Sequence, residues 1–362
     1  MRRRPYLGGV GRTVVAVPPQ SHGPVSAGPA LCNKRLLFLV GKGGVGKTTI
    51  ATALALAVSR QGKKTLLIEL DENTRAARLL GLPPLDDRTS APRQVSPTLF
   101  VLATSGQAAL EEYLRLIIPV KRLLRTVLES RLYQYFVAAA PGLKELMTMG
   151  KIWYEERQRD KDTQRPRWDV LIVDTPATGH SLQYLRMPRA ARDTFSGGFV
   201  HREAERVLAL LSDSGRAAIN LVTTPEELPA NETQEAYQQL VEDQHLPLGV
   251  LFINRVHHTP VARAVLERAW ADTNAPARDR RLTKEILARA QTEAALAEAQ
   301  AAYLQQLQQL PLPAVPLPFC FAEEFGLPEV ERLSHLIGAA ILERPLGKGA
   351  EEKRRKRDSA RS

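Results

Sequence analysis

The segment from Gly41 to Thr49 carries the clearest chemical signal in the sequence. It reads Gly-Lys-Gly-Gly-Val-Gly-Lys-Thr-Thr and directly follows a short apolar run. Glycines let backbone N–H groups approach phosphate oxygens without Cβ clashes, and a helix that begins here adds the positive end of its dipole. In this pattern Lys47 neutralises phosphate charge and Thr48 offers a hydroxyl to Mg²⁺. The predicted nucleotide-binding residues are Gly41, Gly43, Gly44, Val45, Gly46, Lys47, Thr48 and Thr49.

A candidate metal-binding carboxylate stands at Asp174. It follows the apolar run Trp168–Val173 and opens the segment Asp-Thr-Pro-Ala-Thr-Gly-His-Ser-Leu. A carboxylate at the end of a parallel strand lies at the same sheet edge as a phosphate-binding loop, and there it can hold Mg²⁺ or a water bound to the ion. Thr48 and Asp174 are therefore the predicted magnesium ligands.

These candidates require a sheet whose strands end at one edge. Short apolar runs predict strands, and helical periodicity separates most of them, so we predict an α/β fold with a doubly wound, mostly parallel sheet of the P-loop NTPase type. Residues 107–158 are helical without strand signal, which predicts a helical insert subdomain on the carboxyl-end side of the sheet. Thr283–Leu310 reads as one long surface helix. The predicted strands are Leu36–Val40, Lys64–Leu70, Leu99–Ala103, Trp168–Val173, Ala217–Val222, Val250–Ile253 and Pro313–Leu317.

Composition describes an ordinary globular chain with basic ends. The 362 residues are 44% apolar and 25% charged, and their net charge is +11. Residues 1–35 contribute +6 and residues 343–362 contribute +4, so the body between them is nearly neutral. Specific nucleic-acid binding is therefore not expected. We predict a disordered basic extension at 1–34, one P-loop domain at 35–342 with its helical insert, and a disordered basic tail at 343–362.

The cysteine count and the absence of a long apolar run bear on location. Cys32 and Cys320 are the two cysteines, which excludes a disulfide framework and favours a reducing compartment. No stretch of about 18 apolar residues predicts a membrane span. We expect a cytoplasmic protein that can act peripherally at the inner face of a membrane. The Arg-rich start also has the composition of a mitochondrial transit peptide, so a leader and a loose extension both remain open.

Lys42 makes the phosphate loop unusual. A second lysine early in this loop marks the deviant Walker A ATPases, which the chain resembles. In that group the early lysine reaches the nucleotide of the facing subunit. The resemblance implies that Lys42 acts in trans and that the active form is a dimer, either of identical chains or with a paralogue. A cation delivered across an interface stabilises developing phosphate charge only when two subunits close.

The segment at Asp174 narrows the resemblance. It is similar to the second switch of the arsenite-transporting and tail-anchored-protein-targeting (ArsA-like) ATPases, with proline and alanine exchanged at 176 and 177. The resemblance implies that Asn254 reads adenine, that Pro316 belongs to an adenine-covering loop, and that ATP and Mg²⁺ are the cofactors. Three further segments resemble segments of the family and occur in the same order along the chain. They are Pro141–Glu145, Thr224–Leu228 with Glu232-Thr233, and Phe252–Arg255.

The first switch departs from the family. Asp71 aligns with the aspartate that polarises the attacking water, but the three residues after it differ from the family pattern. The resemblance implies catalysis by Asp71 together with Lys42 and Lys47, and Glu72 or Glu69 are less suitable substitutes. Asp71 serving only as a helix cap is the alternative. The cysteines also cannot form a shared four-cysteine zinc site or, within one chain, a three-thiolate arsenite site.

The predicted function is Mg²⁺-dependent ATP hydrolysis by a dimer. Two uses of that energy are open: anion or metalloid transport through a separate membrane permease, and delivery of hydrophobic membrane-protein segments. Met147 and Met149 suit a groove for a client helix, although packing within the helical segment explains them equally well. The alternative is a slow or non-hydrolysing nucleotide-gated scaffold of the Min or Par type.

Overall fold

The computed structural model describes residues 31–70, 74–85, 91–118, 120–131, 135, 142–258 and 277–341. Its eight strands form one sheet in the order β3-β4-β2-β5-β1-β6-β7-β8. All neighbouring strands are parallel except β3, which pairs antiparallel with β4. The strands are β1 (Leu36–Val40), β2 (Thr65–Glu69), β3 (Arg93–Gln94), β4 (Leu99–Ala103), β5 (Val170–Asp174), β6 (Ala217–Thr223), β7 (Leu248–Val256) and β8 (Ala314–Pro318).

Helices cover both faces of the sheet. They are α1 (Lys47–Arg60), α2 (Arg75–Leu79), α3 (Gly106–Ile117), α4 (Lys121–Glu129), α5 (Leu143–Arg157), α6 (Thr178–Thr194), α7 (Gly198–Leu211), α8 (Glu227–Gln238), α9 (Ala277–Gln308) and α10 (Leu327–Ile341). None of the helices in these ranges has the length and apolar character needed to span a membrane.

The two faces of the sheet carry separate hydrophobic cores. Leu37 and Leu39 of β1 point to one face, where α1, α2 and α10 pack. Leu36 and Phe38 point to the other face, where α5 to α9 pack. Every residue of β1 is buried, because a central parallel strand is covered on both sides. This explains why the strand reads as a continuous apolar run rather than as an alternating pattern.

The predicted α/β fold is confirmed, and all seven predicted strands are present within three residues of their expected ends. The long helix α9 is also present, shifted by six residues at its start. The edge strand β3 was not predicted, because its two exposed polar residues carry no hydrophobic signal.

One expectation about the end of a segment needs correction. Leu31–Asn33, which we assigned to the disordered extension, form a 3₁₀ turn, and Leu31 is buried in the core. Helix α5 of the predicted helical insert packs in two directions. Its Leu146 and Met147 join a small core with α3, α6 and α7, and its Met149 and Ile152 pack against the sheet face. Near its end, Glu156 binds Arg35 just before the start of β1. The remaining parts of the predicted tails lie outside the described residues.

Candidate nucleotide-binding site

The phosphate loop runs between β1 and α1 and is closed by its own lysine. Nζ of Lys47 donates hydrogen bonds to the carbonyl oxygens of Gly41 and Lys42, both at 2.9 Å. Lys47 is only 9% exposed, so its charge is held inside the loop. Because these carbonyls bound the space that the loop encircles, the ammonium group is placed where phosphate charge would enter.

Two glycines of the loop are required by close neighbours. Gly46 has a φ of 94°, in the left-handed region that favours glycine, and a Cβ there would collide with the side-chain amide of Asn254. A Cβ on Gly41 would collide with the carbonyl oxygen of Val222 near the end of β6. The loop therefore lies directly against the ends of β6 and β7, and larger residues at either position would displace it.

Thr48 and Asp174 are brought together as predicted. The Thr48 hydroxyl donates to Oδ2 of Asp174 at 2.6 Å, and Asp174 is 4% exposed. The next residue, Thr175, donates its hydroxyl to the carbonyl oxygen of Leu39 at 2.6 Å, which ties the segment after β5 to β1. A hydroxyl and a carboxylate at this distance form the hard oxygen donor set that Mg²⁺ prefers. The residues present fit the implied ion.

Lys42 lies in the same loop but is engaged differently. Its Nζ lies 2.5 Å from Oε1 of Glu232, on α8. The two side chains are 29% and 38% exposed, so the pair stands at the surface of the site. Lys42 therefore does not share the enclosed position of Lys47. Its side chain lies at the surface, beside α8.

Glu69, which we predicted as a less suitable substitute for Asp71, binds the start of α2. Glu69, at the end of β2, is 1% exposed and accepts hydrogen bonds from the backbone N–H groups of Arg75 and Ala76 at 2.6 Å and 3.2 Å. These N–H groups belong to the first turn of α2, so the carboxylate caps that helix. Asp71 and Glu72 lie outside the described residues, and the catalytic role of Asp71 stays a prediction.

The residues expected near the base lie on neighbouring strands. Asn254 of β7 is buried, and its Nδ2 donates to the carbonyl oxygen of Val45 at 2.8 Å. Pro316 of β8 pairs in register with Ile253, the residue before Asn254. In this structure the Asn254 amide braces the phosphate loop, and its role in reading adenine stays a prediction.

Three contacts of the site were not predicted from the sequence. They are the Glu232 pairing, the Glu69 cap and the Asn254 brace. Glu232 had been noted as part of a motif, but its partner is 190 positions away and no local pattern identifies it. The Glu69 cap had a weak signal, since a strand that ends in an acidic residue just before a short helix can supply such a cap.

The two methionines of the helical segment have different surroundings. Met149 is 1% exposed and belongs to the core against the sheet, so packing explains it. Met147 lines a cavity of about 200 Å³ between α3, α5 and α7. Lys151 also lines this cavity and forms ion pairs with Glu112 and Glu155 at 2.7 Å and 2.9 Å. No group of three or more His, Cys, Asp or Glu residues that could hold a metal ion occurs among the described residues.

Comparison with known proteins agrees with the geometry. The family model for anion-transporting ATPases matches residues 34–198, a range that includes the phosphate loop and Asp174. The ATPase BagA of Mycobacterium tuberculosis is 36% identical over 227 residues, which are 62% of this chain and 66% of the relative. The arsenical pump-driving ATPases of Acidiphilium multivorum and Escherichia coli are each 27% identical over 259 residues, 64% of this chain and 42% of theirs.

The chain matches only part of each of these relatives. The chain spans 66% of the mycobacterial relative and less than half of the two arsenical pump-driving relatives. The range matched by the family model includes the loop that encloses Lys47 and the strand end that presents Asp174 to Thr48. By this match and by its relatives, the chain is a member of the ArsA-like family of anion-transporting ATPases.

Proposed function

We propose that the protein hydrolyses ATP in a Mg²⁺-dependent reaction and that its active form is a dimer. The observation that carries the proposal is the enclosed Lys47 beside the Thr48–Asp174 pair at 2.6 Å. A cation and two hard oxygen donors at one sheet edge match the charge of a triphosphate and its metal ion. Family membership supports ATP as the nucleotide.

The residues of this chain would divide the work as follows. Lys47 and the backbone N–H groups of the loop bind and orient the phosphates. Thr48 and Asp174 would hold Mg²⁺, which neutralises phosphate charge when bound. Asp71 is the candidate for orienting the attacking water, by resemblance to the family, because Glu69 is already committed to capping α2. The adenine would lie near Asn254 and Pro316.

The dimer rests on Lys42. Phosphate charge in its own subunit is served by Lys47, whereas Lys42 stands at the exposed side of the loop. A cation in that position is available to a facing subunit, as the family resemblance implies. We propose a homodimer, with a dimer of paralogues as the alternative.

Two uses of the hydrolysis remain proposals. The names of the arsenical pump-driving relatives support a separate membrane permease that this ATPase would drive. The cavity lined by Met147 favours a second candidate, the binding of a hydrophobic segment of a client protein. In both cases the protein would act from the aqueous side of the membrane.

The test compares ATP binding and turnover in the wild-type chain and in Lys47→Ala. We expect the substitution to lower turnover by at least about a hundredfold, because an aimed cation of the phosphate site is lost. Lys161→Ala, on an exposed turn, is the charge-matched control.

Unchanged turnover in Lys47→Ala would refute the proposal. A wild-type chain that binds ATP without cleaving it in a single-turnover assay would establish the scaffold alternative. Arsenite-stimulated turnover would select the pump, and co-purification with membrane-segment peptides would select the client role.

A further inference from the structure

The ion pair between Lys42 and Glu232 joins the phosphate loop to α8. Nζ of Lys42 donates a charge-assisted hydrogen bond to Oε1 of Glu232. The carbonyl oxygen of Lys42 accepts from Nζ of Lys47, so the backbone of Lys42 is fixed by the loop and its side chain by α8. Glu232 therefore determines the direction in which the Lys42 ammonium points within its own subunit.

Both partners remain accessible to a competitor. Their side chains are 29% and 38% exposed, so separating them disturbs no buried core. Exposed ion pairs of this kind are weak and are screened by salt. A triphosphate carries several negative charges, whereas Glu232 carries one. The phosphates of a nucleotide in a facing subunit would thus be the stronger partner for Lys42.

We propose that Glu232 is a positioning residue that retains Lys42 within its own subunit and releases it to the nucleotide of the facing subunit when the dimer closes. The inference rests on the proposed function, because it assumes that Lys42 acts across a dimer interface. Closure then exchanges one ion pair for another. Because the intrasubunit pair must break first, Glu232 opposes closure, and removing its charge favours the dimer.

The experiment measures self-association by sedimentation velocity in the presence of Mg²⁺ and a non-hydrolysable ATP analogue. Closure of a homodimer breaks two such exposed ion pairs, one in each subunit, and Glu232→Gln removes both beforehand. The dimer dissociation constant of this variant should therefore be about 2- to 30-fold lower than that of wild type. Glu235→Gln removes the same charge from an exposed position on the same helix and is the matched control, with no expected change. Glu232→Asp keeps the charge with a shorter reach and should fall between wild type and Glu232→Gln.

A double-mutant cycle identifies Lys42 as the group that is released. In a Lys42→Ala background the effect of Glu232→Gln on association should disappear, because no ammonium remains to be retained. When Lys42 is present, the tighter association caused by Glu232→Gln should also diminish as the salt concentration is raised. Salt screens the Lys42–Glu232 pair that this substitution removes.

Several results would overturn the inference. They are equal association of Glu232→Gln and Glu235→Gln, weaker association of Glu232→Gln, an undiminished gain in the Lys42→Ala background, and no nucleotide-dependent association in any variant. The first three results leave the proposed function standing, whereas the fourth would also refute its dimer. ATP hydrolysis is tested separately by Lys47→Ala. If Glu232→Gln does not fold, Glu232→Asp alone decides, and association equal to that of wild type counts against the inference.

Discussion

The hydroxyl oxygen of Thr48 lies 2.6 Å from Oδ2 of Asp174, although 126 positions separate the two residues in the chain. Thr48 stands in the first turn of α1, and Asp174 ends β5. Adjacent parallel strands β1 and β5 bring them to the same edge of the sheet. The pair links the phosphate loop to the second switch, and it gives the first prediction.

Asp174→Asn should weaken the response to Mg²⁺ more than the binding of nucleotide. The amide keeps the size of the side chain but removes the anionic ligand, and we expect roughly a 10- to 100-fold higher Mg²⁺ requirement for turnover. Titrating ATP hydrolysis with MgCl₂ at saturating ATP measures this. Asp162→Asn, in an exposed turn, removes the same charge elsewhere and should match wild type. An unaltered Mg²⁺ titration in Asp174→Asn would show that the carboxylate does not serve the metal ion.

Lys42→Ala should bind ATP and lose most hydrolysis. A single transition-state cation of this kind is worth roughly 10³–10⁵ in rate. Mixing Lys42→Ala with Asp71→Asn subunits should restore part of the activity, because one site of the mixed dimer keeps its own Asp71 and receives an intact Lys42. Turnover of the mixture is compared with that of each variant alone, with mixed dimers verified by mass. Activity no higher than that of the parents would assign Lys42 to its own subunit.

Asn254→Ala should weaken the binding of ATP and GTP by similar factors. The lost hydrogen bond to Val45 supports the phosphate loop and is worth about 1 kcal/mol, roughly fivefold in affinity. Calorimetric titration with both nucleotides checks this, and Asn231→Ala on the exposed side of α8 serves as the control. A loss confined to ATP would instead support a direct contact between Asn254 and adenine.

The contribution of Glu156 to the stability of the fold should depend on pH. Its carboxylate is bound by Arg35 at 2.8 Å and Arg216 at 2.6 Å. Burial alone would raise the pKa of Glu156, but the two guanidinium groups outweigh burial and the pKa lies below its ordinary value of 4.5. A carboxyl with a lowered pKa in the folded state stabilises fully above its unfolded value, and this contribution is lost as pH falls through the folded value.

Glu156→Gln should therefore lower the free energy of unfolding by about 1–3 kcal/mol at pH 7. Urea denaturation at pH 7 and below pH 4 measures the cost, which should shrink in acid. Glu129→Gln breaks an exposed ion pair with Arg125 and should cost less than about 0.5 kcal/mol at either pH. An equal cost of Glu156→Gln at both pH values would mean that its charge is not what stabilises the fold.

The buried strands were predictable because their physical cause is local. All five residues of β1 and of β5 are buried, because both faces of these strands are covered. In the sequence each strand therefore appears as a nearly continuous apolar run between turn signals. The pairing of Thr48 with Asp174 followed from the rule that parallel strands end at a common edge. Neither β3 nor the burial of Leu31 was predictable in this way, because one lacks apolar residues and the other is an isolated leucine among polar and proline-rich neighbours.

The side-chain partners within the site were less accessible to sequence reasoning. Glu69 had been considered as a less suitable substitute for Asp71, and only the position of α2 shows that its carboxylate caps a helix. The bond of the Asn254 amide to the loop was not predicted, because it depends on the room that Gly46 leaves for this side chain. Such contacts depend on loop positions to within about an ångström, which residue types and spacing do not determine.

The long separation between contacting residues has a consequence for biosynthesis. Lys42 and Glu232 are 190 positions apart, so the phosphate loop leaves the ribosome well before the partner of its first lysine has been made. At 5–20 residues per second the interval is roughly 10–40 s. Within that interval β1 waits for its neighbours in the sheet, first β5 and then β6. The phosphate loop therefore reaches its contacts with β6 and β7 only late in the life of the nascent chain, once the central sheet has been assembled.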